Sequence, residues 1–118
     1  MGIRRILNHR EPALHMTCKP VVKFDDRLHK LLDDMRETLI ESGGVGLAAP
    51  QVGILSRFLV MMDPDSKTVY RMINPQIVSR SDEKCTMEEG CLSVLGADNM
   101  PVFSNVTRPE SVVVEWTN

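Results

Sequence analysis

Two short stretches of the sequence carry residue types that are common in binding and catalytic sites. The first, from Gly44 to Ala49, satisfies the spacing G-x-G-x-x-G/A of a dinucleotide-binding turn, with Asp63 and Asp65 downstream. That turn needs a strand before the glycines and a helix after them. Here a predicted helix comes first and Pro50 follows, so the order is reversed. The glycines favour instead a backbone that another chain or a ligand can approach closely.

The second stretch, from Glu88 to Val94, contains Cys91. A thiolate can act as a nucleophile or a metal ligand, although a single cysteine is more often a small buried apolar residue. A nucleophilic thiol also needs a basic partner. The histidines lie far away in the sequence. The six-residue spacing of His9 and His15 suits no known ligand pair and predicts surface positions, and His29, beside Lys30 on a predicted helix, is expected to face water.

Together, the two stretches closely resemble the first and second signature motifs of the peptide deformylases. The matching residues are Gly44-Val45-Gly46-Leu47-Ala48-Ala49-Pro50-Gln51 and Glu89-Gly90-Cys91-Leu92-Ser93, in the family's order and at its usual separation. Lesser similarities are Lys19-Pro20-Val21, Ile73-Asn74-Pro75 and Thr107-Arg108-Pro109. The resemblance covers nearly the whole chain.

The resemblance implies a hydrolase that removes the formyl group from the N-terminal formyl-methionine of newly translated proteins, as part of their maturation. The Gln51 side-chain amide and the Leu92 backbone N–H would hold the carbonyl oxygen as it becomes an oxyanion. Val45 and Gly46 would bond to the backbone of the N-formyl-methionyl peptide. Glu89 would hold the residues of the site in position rather than act as the catalytic base.

The resemblance also implies a metal, iron(II) or zinc, with Cys91 as its thiolate ligand. The family's third motif, HExxH, supplies two further histidine ligands and a proton-shuttling glutamate. No histidine follows His29 in this sequence. Since a hydrolytic metal site normally takes three protein ligands, we expect the metal to be held weakly or not at all. These residues alone are therefore predicted to be inactive.

Several explanations of the missing motif remain open. The chain is a truncated product or fragment of an active enzyme, a naturally shortened pseudo-enzyme, or one part of a split site that another chain completes. A hypothesis of a different class is a non-catalytic module that binds Met-led peptides or self-associates through the retained cleft. A third is a metal-independent thiol enzyme that uses Cys91.

One amphipathic helix is predicted before the first motif. Asp25 or Asp26 can cap it, and the glycine pair Gly43-Gly44 can end it. The apolar residues recur at helical spacing between these signals and define one face: Leu28, Leu31, Leu32, Met35 and Leu39. We therefore expect a single helix from Asp25 to Ser42 that packs on a sheet.

Strands are predicted after the helix. Runs 57–62 and 69–73 flank the turn cluster at 63–66 and indicate a hairpin. Further strand candidates are 76–80, 102–106 and 111–116, whereas 1–24 is predicted to be an extended lead-in with turns. One helix followed by strands without alternation indicates one α+β domain over 1–118, with a mainly antiparallel sheet that lacks the C-terminal metal-binding helix. An uncovered sheet face predicts self-association as a homo-oligomer.

Composition excludes several classes of function. A net charge of −2 and few aromatic residues, one Trp, one Tyr and three Phe, argue against nucleic acid as a partner. No apolar run is long enough for a signal peptide or a membrane span, so no membrane association is expected. Three cysteines without a CxxC pair favour a reducing compartment, and we therefore predict a cytoplasmic location.

Overall fold

The computed structural model describes residues 2–98 and 100–117. One helix, α1 (Asp26–Ser42), precedes six strands: β1 (Gly46–Ala48), β2 (Phe58–Met62), β3 (Val69–Arg80), β4 (Lys84–Leu95), β5 (Pro101–Pro109) and β6 (Val112–Thr117). Short 3₁₀ turns span Pro12–His15 and Ala49–Val52. Neighbouring strands pair antiparallel in each of these ladders. The predicted α+β class is confirmed.

The helix α1 forms where its sequence signals predict it. The Asp25 side chain accepts a hydrogen bond from the Leu28 N–H at 3.0 Å, and Gly43 ends the helix in the left-handed region at φ 73°. The predicted face is buried at Leu28, Leu32, Met35 and Leu39, and Leu31 packs against the same core. Within 2–98 and 100–117, no helix has the length and apolar character that a bilayer span requires.

The strands form two sheets. The larger has the order β1-β2-β3-β6, and β4 pairs with β5 in the smaller. The predicted hairpin is β2–β3, but 76–80 continues β3 instead of forming a separate strand. A register shift between Ile73 and Gln76, with Asn74 at φ 52°, bends β3 without ending it. The candidates 102–106 and 111–116 correspond to β5 and β6.

The two faces of the larger sheet have different surroundings. One face packs on α1 through Leu47, Phe58, Val60 and Ile73. The opposite face carries an apolar groove of about 800 Å³. The side chains that line this groove are Leu59, Met61, Tyr70, Met72, Pro75, Gln76, Ile77, Val112, Val114 and Trp116. In the described chain the groove therefore presents apolar surface to solvent.

Candidate active site

The first motif lies on an exposed sheet edge. Among the described strands, β1 has β2 on one side only. The Val45 carbonyl oxygen accepts a hydrogen bond from the Met62 N–H at 2.8 Å, and Gly46 is opposite Met61. Because paired residues alternate along an antiparallel ladder, the N–H and C=O of Gly46 face away from β2. The backbone of Gly46 is therefore directed towards the open edge.

The side chain of Gln51 is fixed at both ends. It lies on the 3₁₀ turn that follows β1. Its Oε1 accepts a hydrogen bond from the Ala48 N–H at 3.0 Å, and its Nε2 donates to Ser93 Oγ at 3.0 Å. The same Nε2 lies 3.7 Å from Cys91 Sγ. The fold thus brings the two motifs together and holds an amide donor beside the thiol.

The second motif is the end of β4. The pairing of β4 with β5 is regular up to Gly90 opposite Phe103, and its register then shifts before Leu95. Cys91 is exposed, Leu92 is half-buried and Ser93 is buried. The motif's catalytic candidates therefore lie in an irregular part of the strand rather than in a uniform ladder.

A cleft of about 490 Å³ separates the two motifs. Glycines allow its walls to approach each other closely: a Cβ on Gly44 would lie 2.9 Å from Leu92 Cδ1, and one on Gly90 would lie 2.5 Å from the Phe103 ring. The cleft is lined by Gly43, Gly44, Val45, Gly46, Gly90, Cys91, Leu92 and Phe103. Two predicted peptide-binding residues, Val45 and Gly46, thus share one cleft with Cys91 and Leu92.

Glu89 forms an ion pair with Arg108 on β5. Its carboxylate accepts hydrogen bonds from Arg108 Nε at 2.7 and 3.0 Å and from Nη2 at 2.7 Å. Hydrogen bonding by the guanidinium holds the pKa of Glu89 below its usual range and raises the pKa of Arg108. Glu89 therefore links β4 to β5 next to the motif, and it is absent from the cleft lining.

Two residues at the site escape the sequence analysis. Ser93 enters the prediction only as a member of the second motif, whereas in the structure its hydroxyl is the acceptor for the Gln51 amide. His9, predicted to lie at the surface, is half-buried, and its backbone N–H donates to the Ser93 carbonyl at 2.6 Å. Their separation along the chain hides this contact from any local pattern. The other two histidines, His15 and His29, are exposed as predicted.

The described residues do not provide the ligands that the metal implied by the resemblance would need. Within 2–98 and 100–117, no three His, Cys, Asp or Glu side chains form a group that could hold a metal ion. Cys91 brings a single thiol to the cleft, with the amide of Gln51, a hydrogen-bond donor, beside it. Because a hydrolytic site normally takes three protein ligands, these residues do not fit a complete metal centre.

Comparison with known proteins identifies the family. Residues 3–118 match the family model described as polypeptide deformylase. The chain is 43% identical to the peptide deformylase of Finegoldia magna, covering all of this chain and 70% of that protein. It is 42% identical to the enzyme of that name from Natranaerobius thermophilus, covering all of this chain and 72% of the relative.

Solved structures agree with the sequence comparison. The peptide deformylase of Thermotoga maritima superimposes with a TM-score of 0.90 at 38% identity, over all of this chain and 76% of that one. The chain is a member of the peptide deformylase family, because its fold, its match to the family model and its similarity to these relatives all agree. The chain spans 70% and 72% of the length of the two curated relatives.

Proposed function

We propose that the protein takes part in removing the formyl group from N-formyl-methionyl peptides, and that the described residues form the part of the site that binds the peptide. The observation that carries this proposal is the fixed Gln51 amide. Because Oε1 and Nε2 are both hydrogen-bonded, the donor is oriented before substrate arrives. An oriented donor beside a reacting carbonyl stabilises the oxyanion at little reorganisation cost.

The peptide would bind along the open edge of β1. A peptide that adds as a strand uses backbone hydrogen bonds, and the N–H and C=O of Gly46 face that edge. The formyl carbonyl would then lie near Cys91, and its oxygen would accept hydrogen bonds from the Gln51 amide and the Leu92 N–H. Val45 would contact the peptide through its side chain, which is 56% exposed, because its carbonyl already bonds to Met62.

Hydrolysis needs an activated water that these residues do not provide. With Cys91 as the one candidate ligand, an iron(II) or zinc ion would require two further ligands from outside the described residues. We therefore propose binding without turnover for a polypeptide of these 118 residues. The family reaction would follow when the missing ligands are supplied.

Peptide titration and an activity assay test both parts. Formyl-Met-Ala should shift the amide resonances of Gly46, Gln51 and Leu92, and Gln51→Glu should weaken binding because a carboxylate repels the carbonyl oxygen. Formate release with added zinc or nickel should stay at the level of a Cys91→Ala control. Turnover of about 1 per second that Cys91→Ala abolishes would contradict the second part.

A non-catalytic peptide-binding module is the second candidate. The observation that favours it is the same cleft of about 490 Å³, for which the part of the chain that the structure describes provides no complete set of metal ligands. Unformylated Met-Ala separates the two proposals. Equal affinity for the formylated and free peptides would favour the module, whereas preference for the formyl group would favour the deformylase role.

A further inference from the structure

The chain's first residues contact both motifs of the site. The N-terminal segment, residues 7–10, forms backbone hydrogen bonds to one residue of each motif. The Leu7 N–H donates to the Gln51 carbonyl at 2.6 Å, and the His9 N–H donates to the Ser93 carbonyl at 2.6 Å. Arg10 Nη2 also donates to the Gly96 carbonyl at 3.1 Å. This segment therefore bonds to the residue that carries the amide donor and to the strand that carries Cys91.

The imidazole of His9 makes a contact that its backbone does not. The Leu95 N–H donates to His9 Nδ1 at 3.3 Å. Since a backbone N–H is always a donor, Nδ1 is the acceptor there, and a neutral ring carries its proton on Nε2. An Nδ1 that accepts from Leu95 has no proton to donate to the Ser93 carbonyl, which lies at the same 3.3 Å and accepts from the His9 N–H instead. His9 thus holds the two successive peptide groups that follow Ser93.

We propose that His9 is a positioning residue: by accepting from the Leu95 N–H, it fixes the end of β4 and so holds Ser93 under the Gln51 amide. The β4–β5 register shifts between Gly90 and Leu95, so this stretch needs support beyond a regular ladder. His9 supplies that support from outside the sheet. Its consequence for peptide binding rests on the proposed function, whereas the hydrogen bond itself does not.

Two substitutions of His9 separate the acceptor from the bulk of the ring. His9→Asn places Oδ1 at the position of Nδ1, and His9→Leu has similar size with no acceptor. His29→Leu, on the exposed part of α1, is the matched control. Hydrogen exchange of the Leu95 amide, followed by NMR, is the readout. The amide of Met87, opposite Val106 in the regular part of β4, is the internal reference.

We expect Leu95 exchange to be about tenfold faster in His9→Leu, the equilibrium effect of one hydrogen bond, and within about threefold of wild type in His9→Asn. Met87 should be unaffected throughout. Unchanged Leu95 exchange in His9→Leu, or equal acceleration in both variants, would overturn the proposal. Acceleration that includes Met87 would also overturn it, because His9 would then support the whole fold.

A measurement on the unaltered protein remains decisive if His9→Leu does not fold. A scalar coupling across the hydrogen bond, between the Leu95 amide nitrogen and His9 Nδ1, is expected, and its absence at low temperature would refute the contact. Titration with formyl-Met-Ala tests peptide binding separately from the role of His9. Lack of peptide binding with the coupling present would refute the proposed function and leave the role of His9 intact.

Discussion

Removal of the Ser93 hydroxyl tests how the Gln51 amide is held. In Ser93→Ala, Gln51 Nε2 loses its acceptor at 3.0 Å, while the bond from the Ala48 N–H to Oε1 remains. Gln51 is half-buried, so water can reach the freed amide and the desolvation penalty is small. We therefore expect a loss of about 1 kcal/mol in the free energy of unfolding, typical of one neutral hydrogen bond.

The size of the thermal effect follows from the chain length. At roughly 2.1 cal/mol/K per residue, a protein of 118 residues has an unfolding entropy of about 0.25 kcal/mol/K. A change of about 1 kcal/mol then lowers Tm by about 4 °C. Calorimetry measures this shift, and NMR of the Gln51 side-chain amide should show faster proton exchange in the variant.

A matched control is Ser104→Ala, an exposed serine on β5, for which Tm should change by less than about 2 °C. If Ser93→Ala left both Tm and the Gln51 amide unchanged, Ser93 would not hold that side chain. A loss above about 3 kcal/mol would also refute the reasoning, because Ser93 would then be supporting the core.

Three further predictions concern the rest of the fold. Leu32→Ala should cost about 2 to 5 kcal/mol because Leu32 is 1% exposed, whereas Ile40→Ala on the open face of α1 should cost under about 0.5 kcal/mol; urea unfolding compares them. Hydrogen bonds from Lys30 and then Arg4 lower the pKa of buried Asp34. The stability that the lowered pKa gives is present above the ordinary carboxyl pKa of 3.8 and is lost as pH falls below it. Asp34→Asn should therefore lower the free energy of unfolding by about 1 to 2 kcal/mol at pH 7. Thermal melts should show the difference between variant and wild type narrowing towards pH 3. Self-association through the apolar groove should weaken in Met61→Lys but not in Val22→Lys, which lies outside the groove; sedimentation equilibrium giving monomers for the unaltered protein would contradict this.

Local signals in the sequence were sufficient for the helix. The cap at Asp25, the apolar face and the glycine at position 43 all act within a few residues of one another, so the sequence predicts α1 almost to its bounds. The β2–β3 hairpin follows from the turn cluster between its strands in the same way. The family resemblance also required no knowledge of the packing, because each of its two motifs is an uninterrupted run of residues.

Local patterns in the sequence could not predict the long-range contacts. The strand β4 was not predicted because Glu88–Leu95 lacks a clear alternation and contains a glycine. The contact of His9 with Ser93 joins positions 84 residues apart, and its chemistry depends on a backbone N–H that no side-chain pattern encodes. Ser93 likewise gains its role only when Gln51 is brought beside it. The roles of Cys91, Leu92 and Glu89 stay predictions of the family resemblance.

The position of Trp116 gives the protein an intrinsic optical reporter. It is the only tryptophan in the sequence, it lines the apolar groove, and its ring meets that of Tyr70 edge-on at 6.3 Å between centroids. Indole fluorescence depends on the polarity around the ring, and Trp116 is 39% exposed. Any chain segment or second molecule that covers the groove would therefore move the emission to shorter wavelength. Occupancy of this face can thus be followed in unlabelled protein, independently of events at the cleft.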